Sequence, residues 1–134
     1  MPDLACLDGK VAWVPVGQFT DPRGSLSVVQ FDAQSFRCVR AFVVTAPAGA
    51  VRGGHGHRRG RQILMCLSGA IDVELRYRGL SRTLPLRDGS SALLIEPTVW
   101  SLQTYRGENS AMLVFCDTPY DPSDYFEVPD AGQS

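Results

Sequence analysis

Two histidines, His55 and His57, are the only ones in the chain, and one residue separates them in the run Arg52-Gly53-Gly54-His55-Gly56-His57. An imidazole titrates near pH 6.5, so a positioned histidine takes and returns protons under ordinary conditions. If the segment is extended, residues two apart point to the same side, and both rings project into one space. The glycines around them permit backbone angles closed to other residues and let a ligand approach the main chain. A His-Gly-His tripeptide alone fits a solvated loop equally well, so its surroundings have to decide.

Those surroundings belong to one compact unit. A length of 134 residues suits a single domain, and 44% apolar with 20% charged residues excludes disordered, collagen-like and membrane compositions. Thirteen basic against 14 acidic residues leave a net charge of -1, so no global field exists to hold nucleic acid or an anionic membrane. Short runs rich in Val, Ile, Leu, Phe and Thr recur between Gly, Pro, Asp and Ser, and no stretch keeps a helical apolar face for three turns. The expectation is an all-β sandwich or barrel with strands at 11–16, 25–31, 39–45, 61–67, 71–78, 83–86, 92–95, 99–105 and 112–116. Ser68-Gly69 marks a hairpin, and turns are expected at 21–24, 87–90 and 106–109. We expect residues 1–128 to form the domain and 129–134 a flexible tail. Cys6, Cys38, Cys66 and Cys116 show no CxxC pairing, which reads as a reducing compartment. With no leader-like N-terminus and no apolar run near 18 residues, the default location is the cytoplasm and no membrane partner is expected.

Gly49, His55, His57, Gln62 and Gly69 reproduce the spacing of the first cupin motif, with Gln62 where glutamate is usual. The resemblance implies a cupin (jelly-roll) fold. Metal-binding cupins add a third histidine from a later strand, but the corresponding region here is Glu96-Pro97-Thr98-Val99-Trp100-Ser101-Leu102. Two neutral imidazoles and an amide make a poor site for a divalent ion. No metal and no cofactor are therefore expected, and the histidines become candidates for acid/base work.

The sequence further resembles the metal-independent sugar-nucleotide 3,4-ketoisomerases, the WxcM-like or FdtA-type cupins. The matching text starts at Asp21-Pro22-Arg23-Gly24-Ser25-Leu26 and includes Phe36, Arg40, the Arg52-to-His57 run, Gln62 and Leu67-Ser68-Gly69. It continues through Pro97 and Trp100 to Tyr120-Asp121-Pro122-Ser123-Asp124-Tyr125. The resemblance implies movement of a ketone from C4 to C3 of a dTDP-linked 4-keto-6-deoxy-D-glucose in deoxysugar biosynthesis. It also implies a homodimer with exchanged N-terminal strands. By the same resemblance His55 is the base at carbon, and His57 is its partner, orienting it or shuttling protons between oxygens. Arg52 or Arg40 would stabilise the enediolate or clamp the pyrophosphate. Gln62 would bind a sugar hydroxyl or, the reading we favour, fix an imidazole tautomer. Trp100 would stack on the ligand or fill the core, and Tyr120 and Tyr125 would close the site or the dimer edge. Three departures stand out: Gln30 replaces a usual glutamate, Phe42 and Val43 stand where tyrosines are common, and Ser101 stands where histidine is frequent. The competing readings are a sugar-nucleotide binder without catalysis and a metal-dependent cupin enzyme.

Overall fold

A computed structural model describes residues 5–89 and 91–129. Most of the expected tail, 130–134, lies outside the described residues. Thirteen strands are described: β1 (Ala5–Cys6), β2 (Val11–Val14), β3 (Gly17–Asp21), β4 (Gly24–Val28), β5 (Arg40–Ala46), β6 (Val51–His57) and β7 (Gln62–Ser68). The remainder are β8 (Ala70–Tyr77), β9 (Leu80–Arg87), β10 (Ala92–Ile95), β11 (Trp100–Tyr105), β12 (Ser110–Cys116) and β13 (Tyr125–Phe126). One turn of 3-10 helix, Pro122–Asp124, precedes β13.

The strands form two open sheets, ordered β1-β2-β10-β7-β12-β5 and β13-β6-β11-β8-β9, with β3-β4 as a separate hairpin. Strands β5 to β12 divide four and four between the two sheets, crossing from one to the other at every step except the β8–β9 hairpin, in the jelly-roll manner, so the expected architecture is a sandwich rather than a closed barrel. Its interior is filled from both layers, by Leu64, Leu93, Met112 and Val114 from one and Ile71, Val73, Leu75 and Leu86 from the other. Strand β8 shows the alternation expected of a sheet with one wet face, Ile71, Val73 and Leu75 being buried between more accessible neighbours.

Strands β7 and β10 instead read as near-continuous apolar runs because both their faces are covered. The second cover is the segment after β4: Val29, Phe31 and Phe36 pack on Ile63, Met65, Leu94, Leu113 and Phe115 across the outer face. This explains why the strand expected at 25–31 stops at Val28. Beyond that point the chain leaves the hairpin to lie on the sheet. The turns fall as expected: Gly69 and Gly89 take positive φ at the β7–β8 and β9–β10 connections, and Asn109 does so between β11 and β12. The four cysteines are unpaired thiols.

Candidate active site

Strand β6 carries the histidines, and one irregularity decides what stands beside them. Along the β6–β11 ladder Ser101 pairs with His55 and Leu102 with Gly53, which leaves Gly54 as an unpaired bulge residue. Gly53 and Gly54 have φ of +86° and +78°, angles that only glycine adopts without strain. In a regular strand Arg52 and His55 would face opposite sides. The extra residue resets the alternation, so Arg52 stands opposite Gln103 on the face where His55 stands opposite Ser101. Arg52, His55, Ser101, Gln103 and Tyr105 accordingly line one cavity of about 220 Å³. Phe42, Val44, Gln62, Leu64, Met112 and Val114 of the other sheet form the facing wall, and Tyr125 closes one side.

His57 lies deeper, 8% exposed. Its ring meets that of His55 edge to face at 5.7 Å, and the Tyr125 ring packs against both, 5.0 Å from His55 and 4.4 Å from His57. Nδ1 of His57 lies 3.2 Å from Oδ2 of Asp124. The same carboxylate accepts the backbone N–H of Arg59 at 2.7 Å on Oδ1 and of Gly60 at 3.2 Å on Oδ2. Nε2 of His57 is buried without a hydrogen-bond partner among the described residues.

Burial holds the pKa of His55 below 6.5, against opposing pulls from the Gly53 backbone and Glu127. Burial also lowers His57; the Asp124 hydrogen bond and charge oppose it, while His55 and Arg40 add to it. Both rings are therefore neutral bases near neutral pH.

The expected residues divide by position. His55, Arg52, Gln62 and Tyr125 line the cavity, as do two of the departures, Phe42 and Ser101. Gln62 is not hydrogen-bonded to either imidazole: its Nε2 lies 3.5 Å from Cys116 Sγ, and the side chain that meets His57 is Asp124. Arg40 is outside the cavity lining but shares the inward face of β5 with Phe42 and Val44, its guanidinium over the rings of Phe42 and Tyr120 and 3.5 Å from Cys116 Sγ. Tyr120 is 64% exposed, its ring 5.9 Å from that of Tyr125. Trp100 is outside the cavity lining; being adjacent to Ser101 on β11 it faces the other side, where its indole N–H donates to the Glu127 carbonyl at 2.9 Å. Gln30 is exposed and Val43 is outside the cavity lining.

Sequence reasoning assigned no role to Asp124, Gln103 or Tyr105. The latter two follow Ser101 at intervals of two on one strand, the signal that would have found them. Among the described residues no group of three or more His, Cys, Asp or Glu is placed to hold a metal ion.

Residues 9–131 match the family described as FdtA: WxcM-like, C-terminal. A TDP-4-oxo-6-deoxy-alpha-D-glucose-3,4-oxoisomerase of Aneurinibacillus thermoaerophilus is 28% identical over 112 residues, 82% of this chain and 81% of the relative. Among solved structures, a double variant of the QdtA 3,4-ketoisomerase of Thermoanaerobacterium thermosaccharolyticum in complex with TDP is similar, with a TM-score of 0.84 and 28% identity. The likeness covers 92% of this chain and 91% of that one. A histidine-to-asparagine variant of the same enzyme in complex with TDP-4-keto-6-deoxyglucose aligns with the same TM-score and coverage at 26% identity. On the strength of a match that spans nearly its whole length, the chain belongs to the FdtA, WxcM-like C-terminal family.

Proposed function

We propose that the chain is a TDP-4-keto-6-deoxyglucose 3,4-ketoisomerase of deoxysugar biosynthesis, working by proton transfer through an enediol. The observation that carries this reading is the bulge in β6, which sets a neutral imidazole, His55, and a guanidinium, Arg52, on one face of one cavity. His55 removes the C3 proton, acidified by the C4 carbonyl, and the electron pair forms a C3–C4 double bond as charge moves onto the C4 oxygen. Arg52 stabilises that oxygen where the charge develops, or clamps the pyrophosphate. A proton returns to C4 and the C3 hydroxyl gives up its own to the C4 oxygen, leaving a ketone at C3 and a hydroxyl at C4. One carbon is oxidised as its neighbour is reduced, so the balance needs no external redox partner.

Around this chemistry Gln62 and Tyr125 contact the sugar, while Arg40 and Tyr120 brace Tyr125. The unit comprises residues 1–128, and the proposed location is the cytoplasm. A homodimer with exchanged N-terminal strands completes the proposal. Support for it comes from the β3–β4 hairpin, where Phe19 and Leu26 are 67% and 58% exposed, and from the edge strand β5, where Val43 is exposed. An unpaired edge beside an apolar hairpin is a surface that soluble proteins cover.

The test follows the C3 proton. The wild-type protein in deuterated water should exchange it and yield the 3-keto sugar by NMR, and His55→Asn should lower turnover by about 10²- to 10⁴-fold with an unchanged thermal melt. Tight binding of the TDP-sugar with neither exchange nor product would favour the binding-only reading, which the Phe42 and Ser101 departures at the cavity wall would then explain.

A further inference from the structure

The geometry points to Asp124 as a positioning residue that holds His57 in its Nδ1–H tautomer, so that Nε2 is the one basic atom of that ring. The inference deepens the proposed ketoisomerase reading and rests on it for its catalytic meaning, though the tautomer itself is a property of the protein alone.

Donor and acceptor accounting supports it. Asp124 is 4% exposed and ringed by donors: the Arg59 N–H on Oδ1, the Gly60 N–H on Oδ2, and Arg59 Nε 3.7 Å from Oδ1. An ionised carboxylate offers acceptors only, so the Nδ1 that meets Oδ2 at 3.2 Å must carry the ring proton. Free imidazole side chains favour the opposite form, with the proton on Nε2. The carboxylate therefore reverses an intrinsic preference and leaves a lone pair on Nε2, the buried atom without a partner. Leaving such an acceptor unsatisfied is costly, and sites that keep one keep it for a task.

The task suggested by the neighbours is proton traffic. The groups facing His57 are His55 on its own strand, Tyr125 on β13, the Arg40 charge from β5 and Asp124 itself. During the reaction Nε2 gains a proton and releases it again, while Nδ1–H stays on the ring and Asp124 stays a carboxylate. A purely structural role is the alternative, because Asp124 also fastens the 58–60 turn through both its oxygens and, at its carbonyl, the Arg58 N–H.

Nitrogen-15 NMR separates these roles without substrate. The chain has two histidines, so the ring signals of the wild type can be assigned with His55→Asn, which leaves one imidazole. At pH 7.5 the expected result for His57 is a protonated, pyrrole-like Nδ1 and a bare, pyridine-like Nε2. A ring protonated on Nε2, or a mixture of the two, overturns the inference. In kinetics, Asp124→Asn should lower kcat about 10²-fold with KM little changed, and the loss should vanish in a His57→Gln background. A wild-type kcat in Asp124→Asn, or an equal loss in both backgrounds, also overturns it. Should Asp124→Asn fail to fold, the wild-type spectrum still decides. Should the wild type neither exchange nor isomerise the keto sugar, the functional reading falls while the spectrum judges the tautomer separately.

Discussion

The two faces of the β6–β11 pair are built from the same strands and on opposite plans. Facing the cavity are Arg52, His55, Ser101, Gln103 and Tyr105, polar groups around open space. On the reverse face Gly56 pairs with Trp100 and with Phe126, and there is no space to spare: a Cβ on Gly56 would collide with the Phe126 ring and the Val99 carbonyl. Arg58 lies over Phe126 and Arg76 over Trp100, so the arginines shield this packing from water. The contrast teaches that the filled face aims the open one. Phe126 seated in the notch at Gly56 fixes β13, and β13 presents Tyr125 opposite His57 with Asp124 just before it.

Attacking the filled face should therefore do the most harm. Gly56→Ala forces Phe126 and with it Tyr125 and Asp124 out of register; the urea midpoint should drop by an equivalent of about 1–3 kcal/mol and turnover should fall with it. The bulge comes next. Gly53→Ala and Gly54→Ala both place a side chain at positive φ, at about 1–2 kcal/mol each by denaturation. Gly53→Ala alone also pushes on the Gln103 side chain, whereas Gly54→Ala meets ordinary contacts, so turnover should be lower in Gly53→Ala.

A subtler difference is read by pH. Both imidazoles have folded pKa values below 6.5, so the unfolded chain binds more protons in the window just beneath that value. Stability should rise with pH through this window and level off above it. The activity profile should climb over the same range, its acid limb lying below 6.5, and His55→Asn should flatten its share of the stability slope. Smallest of all is Trp100→Phe, which removes the indole bond to Glu127 on the far side from the cavity. It should cost about 1 kcal/mol by thermal melt and leave KM for the TDP-sugar unchanged. A marked rise in KM would break the division between the faces.

Much of the sandwich was legible from periodicity, because its interior strands carry their burial in their own sequence: Ile71, Val73 and Leu75 alternate as a half-buried strand must. Strand β3 escaped notice since every residue from Gly17 to Asp21 is exposed and nothing in its pattern marks an inner side. Strand β6 could be treated only conditionally, because Arg52-Gly53-Gly54 lacks β propensity and is kept in the sheet, with its bulge, by the ladder with β11. The histidine pair was legible from spacing. The alignment of Arg52 with His55 was not, since it depends on a bulge that only the ladder with β11 defines. Of the two roles open to Trp100, stacking on a ligand or filling the core, strand alternation and its burial favour the second. Asp124 was quoted within a motif but given no work, because local pattern cannot join a carboxylate to a ring so distant in the chain.

That distance, 67 residues between His57 and Asp124, has a bearing on how the molecule fails. The seam between β6 and β13 is only two residue pairs long, against four for β2–β10 and seven for β5–β12, whose partners also lie far apart in the chain. So short a seam is expected to part in a local opening while the longer ladders hold, leaving an intact but unloaded shell before the global melt.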